Sequence, residues 1–229
     1  MAEARKKKRT GRTILVIFAV IAGIIIISAA TIFGIGYGMY KRAVSALPAE
    51  QVYLTASSQE GYVTLDRISP DLQAAVIAIE DHRFYSHPGY DIRSMCRAAV
   101  DSIITGNLTG GSTITQQTAK NVWFTQEKRF TRKAAEIFAA RDLERVLGKE
   151  KILELYLNIS FFGKGSYGIG AAAREFFGTT PDKLTLEQSV YLAGLLQAPS
   201  VYSANEEKAA QRYEKVVNAM KRYNMYPSD

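Results

Sequence analysis

Apolar positions fall into two regimes along the chain. From Thr13 to Tyr40 no residue is charged, and Ile14–Ile35 is dominated by Ile, Val, Ala, Phe and Gly. A spanning helix needs about 20 such residues, whereas a signal-peptide core runs to roughly 7–15. A soluble core helix seldom runs so long without a polar face. The pattern therefore predicts an uncleaved transmembrane helix over residues 13–40. Arg5, Lys6, Lys7, Lys8, Arg9 and Arg12 precede it, against Lys41 and Arg42 after it. That imbalance predicts a cytoplasmic basic tail, residues 1–12, and an extracytoplasmic remainder.

Beyond the anchor the period changes to that of amphipathic helices. Residues 41–68 read as a linker with short extended stretches, Tyr53-Leu54 and Tyr62–Leu65, and residues 69–229 as one domain. Ser69-Pro70-Asp71 spells a helix start: an N-cap, a proline at the first helical position and an acid facing the dipole. Leu72, Ala75, Val76 and Ile79 then recur at helical spacing. Further helices are predicted over about 91–105, ended by Gly106-Asn107, and over 112–123. A long one begins at Thr131 and stops at Gly148; others cover 150–158, 171–177, 186–197 and 205–224. Residues 163–170 read as a glycine-rich loop. Strand signals are sparse, so the expected class is mostly α.

Composition removes several functions. A chain that is 47% hydrophobic can bury a real core, so disorder is not expected. One cysteine, Cys96, excludes a disulfide scaffold, and two histidines, His82 and His87, supply a zinc site poorly. The net charge of +7 suggests nucleic acid until it is located. Residues 1–12 hold six Lys/Arg against Glu3, and the remainder is nearly balanced at 23 basic to 21 acidic. The basicity belongs to the tail, and no nucleic-acid partner is expected.

Four segments break local rules. In Glu80–Gly89, two acids end an apolar helix, where the dipole opposes negative charge. A carboxylate placed so should titrate high, which suits a general base; the alternative is a solvated helix end neutralised by Arg83. In Gly110–Asn121, glycines precede a helix whose free N–H groups make an anion site, with Lys120 two turns on. Thr113 and Gln116 also fit a capping box, and the two readings are compatible. The segment lacks the Gly-Lys-Ser/Thr ending of a P-loop. In Lys128–Glu136, the cations Lys128, Arg129, Arg132 and Lys133 crowd a helix N-terminus, the wrong end for them. Glu136 accounts for Arg132 at i,i+4, which leaves a pyrophosphate or a solvated face to explain the others. In Tyr156–Ala173, glycines alternate with aromatics. No preceding strand supports a nucleotide loop there, so the segment reads as structural, with Asn158 as its polar contributor.

In this order, and followed by Leu184–Tyr202, these segments resemble the signature motifs of peptidoglycan glycosyltransferases. Members occur as monofunctional transglycosylases and as the N-terminal module of class A penicillin-binding proteins. The resemblance spans roughly residues 50–222. It implies a lysozyme-like α domain behind a single membrane anchor, in the bacterial cell membrane. Glu80, heading Glu-Asp-x-x-Phe-x-x-His-x-Gly, would be the base, and Glu136, in Arg-Lys-x-x-Glu, the second acid near a departing pyrophosphate. Ser112, Gln116, Gln117, Lys120 and Asn121 would line the donor side, Arg132 and Lys133 would face phosphate, and Asp81, Phe84 and His87 would shape the cleft beside Glu80. Thr118 stands where an aliphatic residue is usual. Lys128 stands where an arginine is usual, with Arg129 as the alternative; lysine lacks arginine's bidentate fork.

The resemblance further implies a divalent cation, Mg or Mn, at Glu136. Its expected partners are lipid II, the growing polyprenyl-linked glycan, the membrane and other cell-wall synthesis proteins. It also implies an apolar surface dipping into lipid. Trp123, Phe124 and Phe130, within Ile114–Phe130, are candidates for it, or else core residues. The implied reaction is inverting transfer that polymerises lipid II. A two-carboxylate hydrolase and a non-catalytic scaffold are its rivals. No Ser-x-x-Lys occurs, so penicillin binding is not expected from these residues.

Overall fold

The computed structural model describes residues 2–106, 110–124 and 129–227. Its first element is one uninterrupted helix, α1 (Ala2–Ala46). Within it, Thr13–Ala46 contains an 18-residue window of mean hydropathy 2.9 and is long and apolar enough to cross a membrane. Helical geometry thus continues past Tyr40, where the uncharged run ends.

The reason for that continuation is tertiary. The last turns of α1 lie along α6 (Phe130–Leu147). Phe33, Tyr37 and Tyr40 surround Phe138, with ring centroids 5.3–6.3 Å apart. Gly36 lets the two backbones meet. A Cβ there would stand 2.6 Å from Cβ of Ala134 and 2.9 Å from the carbonyl oxygen of Thr131.

The stretch between anchor and domain differs from expectation. Tyr53 and Leu54 lie in a helix, α2 (Ala49–Ser57). Residues 62–64 belong to no helix or strand, Thr64 is extended, and a 3-10 turn (Leu65–Arg67) follows. Among the described residues no strand pairs with them. The Asn158 side chain binds Val63 through both its N–H and C=O, and Glu154 accepts from the Leu65 N–H. Side chains of α7 (Lys149–Ile159) thus satisfy backbone groups that a ladder would otherwise satisfy.

Helix α3 (Pro70–Glu80) begins and ends where its signals place it. Ser69, however, makes no side-chain cap; its backbone N–H donates to the Pro181 carbonyl at 2.9 Å. Leu72, Ala75, Val76, Ile77 and Ala78 are all buried, a pattern too broad for one face, so α3 is the central helix. It packs against α9 (Leu186–Leu195) and α11 (Glu206–Arg222). Tyr156, Phe84, Phe162, Ile152, Leu153 and Leu157 complete the core, each large apolar side chain contributing ~1.5–3 kcal/mol on burial.

Helix α4 (Ile92–Thr105) is closed by left-handed Gly106, as its sequence predicts, and is capped at its start by the Asp91 side chain. It leaves Ile92, Cys96, Val100 and Ile104 exposed at successive four-residue steps. Helix α5 (Ile114–Trp123) opens with the full Thr113–Gln116 capping box.

The glycine-rich segment folds as a small antiparallel hairpin, β1 (Phe161–Gly163) and β2 (Ser166–Tyr167). Gly168 follows with φ +79°, and a Cβ on it would come within 2.5 Å of the Asn158 carbonyl oxygen. Two further helices, α8 (Ile169–Phe177) and the short α10 (Pro199–Tyr202), flank α9 in sequence.

Candidate active site

The C-terminus of α3 places Glu80 at the meeting point of three elements. Its Oε2 accepts from Nε2 of Gln117 on α5 at 2.8 Å, and its Oε1 pairs with Nη2 of Arg212 on α11 at 3.1 Å. Gln117 in turn accepts from the Tyr156 hydroxyl at 3.2 Å. Burial, and secondarily the Glu80 charge, hold that phenol well above its ordinary pKa, so it stays a donor. Glu80 is thus oriented by a guanidinium on one oxygen and an amide on the other.

Asp81, next to it, is fully committed. It accepts from His87 Nε2 at 2.8 Å and from the Ile114 N–H at 3.0 Å, which ties the end of α3 to the start of α5. Arg83 does not neutralise the acidic pair. It reaches Asp91, whose carboxyl is held at about 2, because hydrogen bonds from Ser94 and Arg83 overcome the upward push of burial.

Helix α6 presents the second carboxylate. Glu136 is 2% exposed, with Arg132 Nη1 at 2.8 Å from one oxygen and Lys133 Nζ at 2.8 Å from the other. Lys133 also donates to Ser112 Oγ at 2.6 Å. Lys120, on α5, shares this cavity, is only part-exposed, and has no hydrogen-bond or ion-pair partner among the described residues. Burial lowers its pKa, and Arg132 and Lys133 add to that, against the opposing pull of Glu136 and Glu80. The cavity measures about 590 Å³ and runs from Glu80 to Lys120, Arg132 and Lys133. Gln116 also lines it, and its buried Nε2 has no hydrogen-bond partner among the described residues.

A second cavity of about 360 Å³ shares Ile79, Glu80, Gly110 and Ser112 with the first. Its own cations are Arg97, Lys215 and Arg222, and the His82 ring, stacked 4.0 Å from Tyr223, forms one wall. Desolvation lowers the His82 pKa, with Arg97 and Arg83 adding to it, which favours the neutral imidazole. Glu80 stands on the boundary between two cation-lined spaces.

A match to the transglycosylase family extends over residues 48–221 and so takes in Glu80, Lys120, Arg132, Lys133, Glu136 and Arg212. The chain belongs to the peptidoglycan transglycosylase family. Over 161 residues, 69% of this chain, it is 44% identical to penicillin-binding protein 1A of Escherichia coli K12. Over an equal length it is 42% identical to penicillin-binding protein 1F of Bacillus subtilis and to a protein of Cupriavidus necator whose name includes transglycosylase. The matched stretch is 19% and 22% of the two penicillin-binding proteins and 70% of the third. The chain therefore spans about a fifth of the length of those penicillin-binding proteins. Its helical architecture is the lysozyme-like fold of this family.

In this chain, Glu80, Ser112, Gln116, Gln117, Lys120, Arg132, Lys133 and Glu136 line one cavity. Other motif residues lie elsewhere. Phe84 is fully buried and packs in the core, and the His87 ring is spent on Asp81. Asn158 clamps residue 63 and lines neither cavity. Asn121 and Arg129 are exposed and line neither cavity. Lys128 lies outside the described residues.

Arg212 was not anticipated from sequence, although a signal exists. It shares the buried stripe of α11 with Ala209, Val216 and Met220, where a charge demands a partner. The donor set does not fit a divalent cation at Glu136. Both its oxygens face ammonium or guanidinium groups, and no cluster of three or more His, Cys, Asp or Glu suited to a metal occurs among the described residues.

Proposed function

We propose that this chain polymerises lipid II into β-1,4 glycan strands, with release of polyprenyl pyrophosphate. The observation that carries the reading is Glu80 set between two cation-lined cavities. The growing strand occupies the larger cavity, its diphosphate against Lys120, Arg132 and Lys133. Lipid II occupies the smaller one, its own diphosphate met by Arg97, Lys215 and Arg222. Glu80 takes the proton of the acceptor 4-hydroxyl. The resulting oxygen attacks the donor anomeric carbon, the bond to the diphosphate breaks with its electron pair, and the α linkage inverts to β.

Base catalysis of this kind contributes roughly 10²–10⁴-fold. The larger share falls to electrostatic stabilisation of the leaving diphosphate, in a site whose cations are already in place. Glu136 acts by holding Arg132 and Lys133 in position. That pairing favours transfer over the two-carboxylate hydrolase, whose second carboxyl must be free to shuttle a proton.

The tail of Lys and Arg before the anchor puts the N-terminus in the cytoplasm and the catalytic domain outside. The apolar stripe of α4 rests on the outer leaflet, joined by Phe130, which is 82% exposed. Trp123 and Phe124 take no part in that contact, since both pack against the core. Other cell-wall synthesis proteins are the partners this reading calls for. Glu80→Gln should abolish glycan formation from labelled lipid II while leaving lipid II binding intact. Continued polymerisation by that variant rejects the assignment, and a scaffold would be indifferent to it.

A further inference from the structure

A third cleft, of about 660 Å³, lies where α1 emerges from its apolar run, and it shares no lining residue with the two beside Glu80. Its wall is aromatic: Phe138 of α6 meets Tyr37 edge-on and Tyr40 face-on. Its rim carries Lys41, Arg141 and Arg145 with Asp142 and Glu144. Both acids are already engaged. Asp142 accepts from Arg145 at 2.7 Å, and Glu144 accepts from Lys149 and from Thr115, each at 2.6 Å. Lys41 and Arg141 have no carboxylate partner among the described residues. The Lys41 ammonium sits 5.8 Å from the centroids of both Tyr37 and Tyr40.

Height along the anchor says what such a cleft would meet. Lys41 follows Ile35, the end of the apolar run, by six residues, or about 9 Å of helix. The polar layer outside the ~30 Å hydrocarbon core is of comparable depth on each side. Tyrosines prefer that layer because the ring is apolar and the hydroxyl wet. On that count the cleft would open near the level of lipid phosphates, and below it the exposed side chains of Phe33 and Ile26, on the same face of α1 as Tyr37, lead toward the hydrocarbon.

We propose that this cleft binds the headgroup of an anionic phospholipid, with Lys41 and Arg141 on the phosphate and Tyr37, Tyr40 and Phe138 against the glycerol and first acyl carbons. The apolar path downward is what favours a lipid over a soluble phosphate. Occupancy would seal the seam between α1 and α6. The inference rests on the anchor and not on the reaction proposed above.

The test uses the full chain in phosphatidylcholine nanodiscs doped with phosphatidylglycerol, then transferred to mild detergent, with retained lipids counted by native mass spectrometry. Phosphatidylglycerol should be retained in preference to phosphatidylcholine. Lys41→Gln and Arg141→Gln should each weaken retention roughly fivefold, as expected for one basic residue at a lipid surface. The pair Arg174→Gln and Lys208→Gln, exposed positions outside the cleft, should leave it unchanged. Unaltered thermal unfolding will show that the cleft variants are folded. Equal losses from both pairs, equal retention of the two lipids, or displacement of the lipid by inorganic phosphate would each overturn the proposal.

Discussion

Glu80 and Arg212 meet at 3.1 Å although 132 residues separate them in the chain. Arg212 is 9% exposed, and its Nε also donates to the Gly194 carbonyl, so the guanidinium is fixed before any substrate arrives. Removing one member of a buried pair strands the other, at a cost of roughly 3–5 kcal/mol. Arg212→Ala should therefore lower both thermal stability and turnover, with Arg212→Lys intermediate. In the Glu80→Gln background the stability loss from Arg212→Ala should shrink, and a double-mutant cycle on denaturant midpoints would measure the coupling. A coupling of zero would mean that Arg212 only fills space.

Lys120 should set the alkaline limit of the reaction. Burial disfavours its ammonium, with Arg132 and Lys133 adding to the effect, so it loses its proton below the ordinary lysine value of 10.5. Activity that depends on this charge is present at lower pH and falls as pH rises through that depressed value. Lys120→Arg keeps the charge and should move the falling limb upward, at some cost in rate because the guanidinium is larger. Initial rates across neutral to alkaline pH would show an unmoved limb if another group controls it.

Cys96, the sole cysteine, belongs to the exposed stripe of α4 with Ile92, Val100 and Ile104. An environment-sensitive fluorophore attached there should shift to the blue in vesicles and be quenched by lipids carrying a nitroxide near the headgroup. A label that responds only to aqueous quenchers would place α4 in water.

Gly36 offers a test of the seam itself. Gly36→Ala forces a Cβ against Ala134 and the Thr131 carbonyl, and should destabilise by about 1–3 kcal/mol, the usual range for overpacking. Adding Ala134→Gly should return part of that loss. Gly38→Ala, where nothing lies within 4 Å, should be neutral or mildly stabilising. Unfolding in detergent would separate these outcomes, and equal effects at 36 and 38 would argue against close docking.

What could be read from the sequence was short in range. Pro70, the Thr113–Gln116 pair, Gly106 and Gly148 each mark a helix boundary through chemistry between near neighbours, and each boundary lies where they place it. The cluster of Arg132, Lys133 and Glu136 was legible for the same reason, being one turn of one helix. Direction was harder to read. Phe84, His87 and Asn158 sit inside motifs, but a motif does not say whether a side chain faces substrate or braces its neighbours, and these three brace. Arg212 was invisible to local reading because its partner comes from another helix. The continuation of α1 beyond Tyr40 likewise depends on Phe138, a residue nearly a hundred positions away.

That continuation decides how the cationic turn of α6 stands over the bilayer. Thr131, Ala134 and Ala135 press on Gly36, and Arg132, Lys133 and Glu136 interleave with them in the same two turns. Altitude above the hydrocarbon is consequently set by helix register, as with a bracket on a post, and not by the slack of a tether. If the substrate is the prenyl diphosphate proposed above, its tail would pin the diphosphate at one depth, and the rigid mount and the substrate would be indexed to the same plane before they meet.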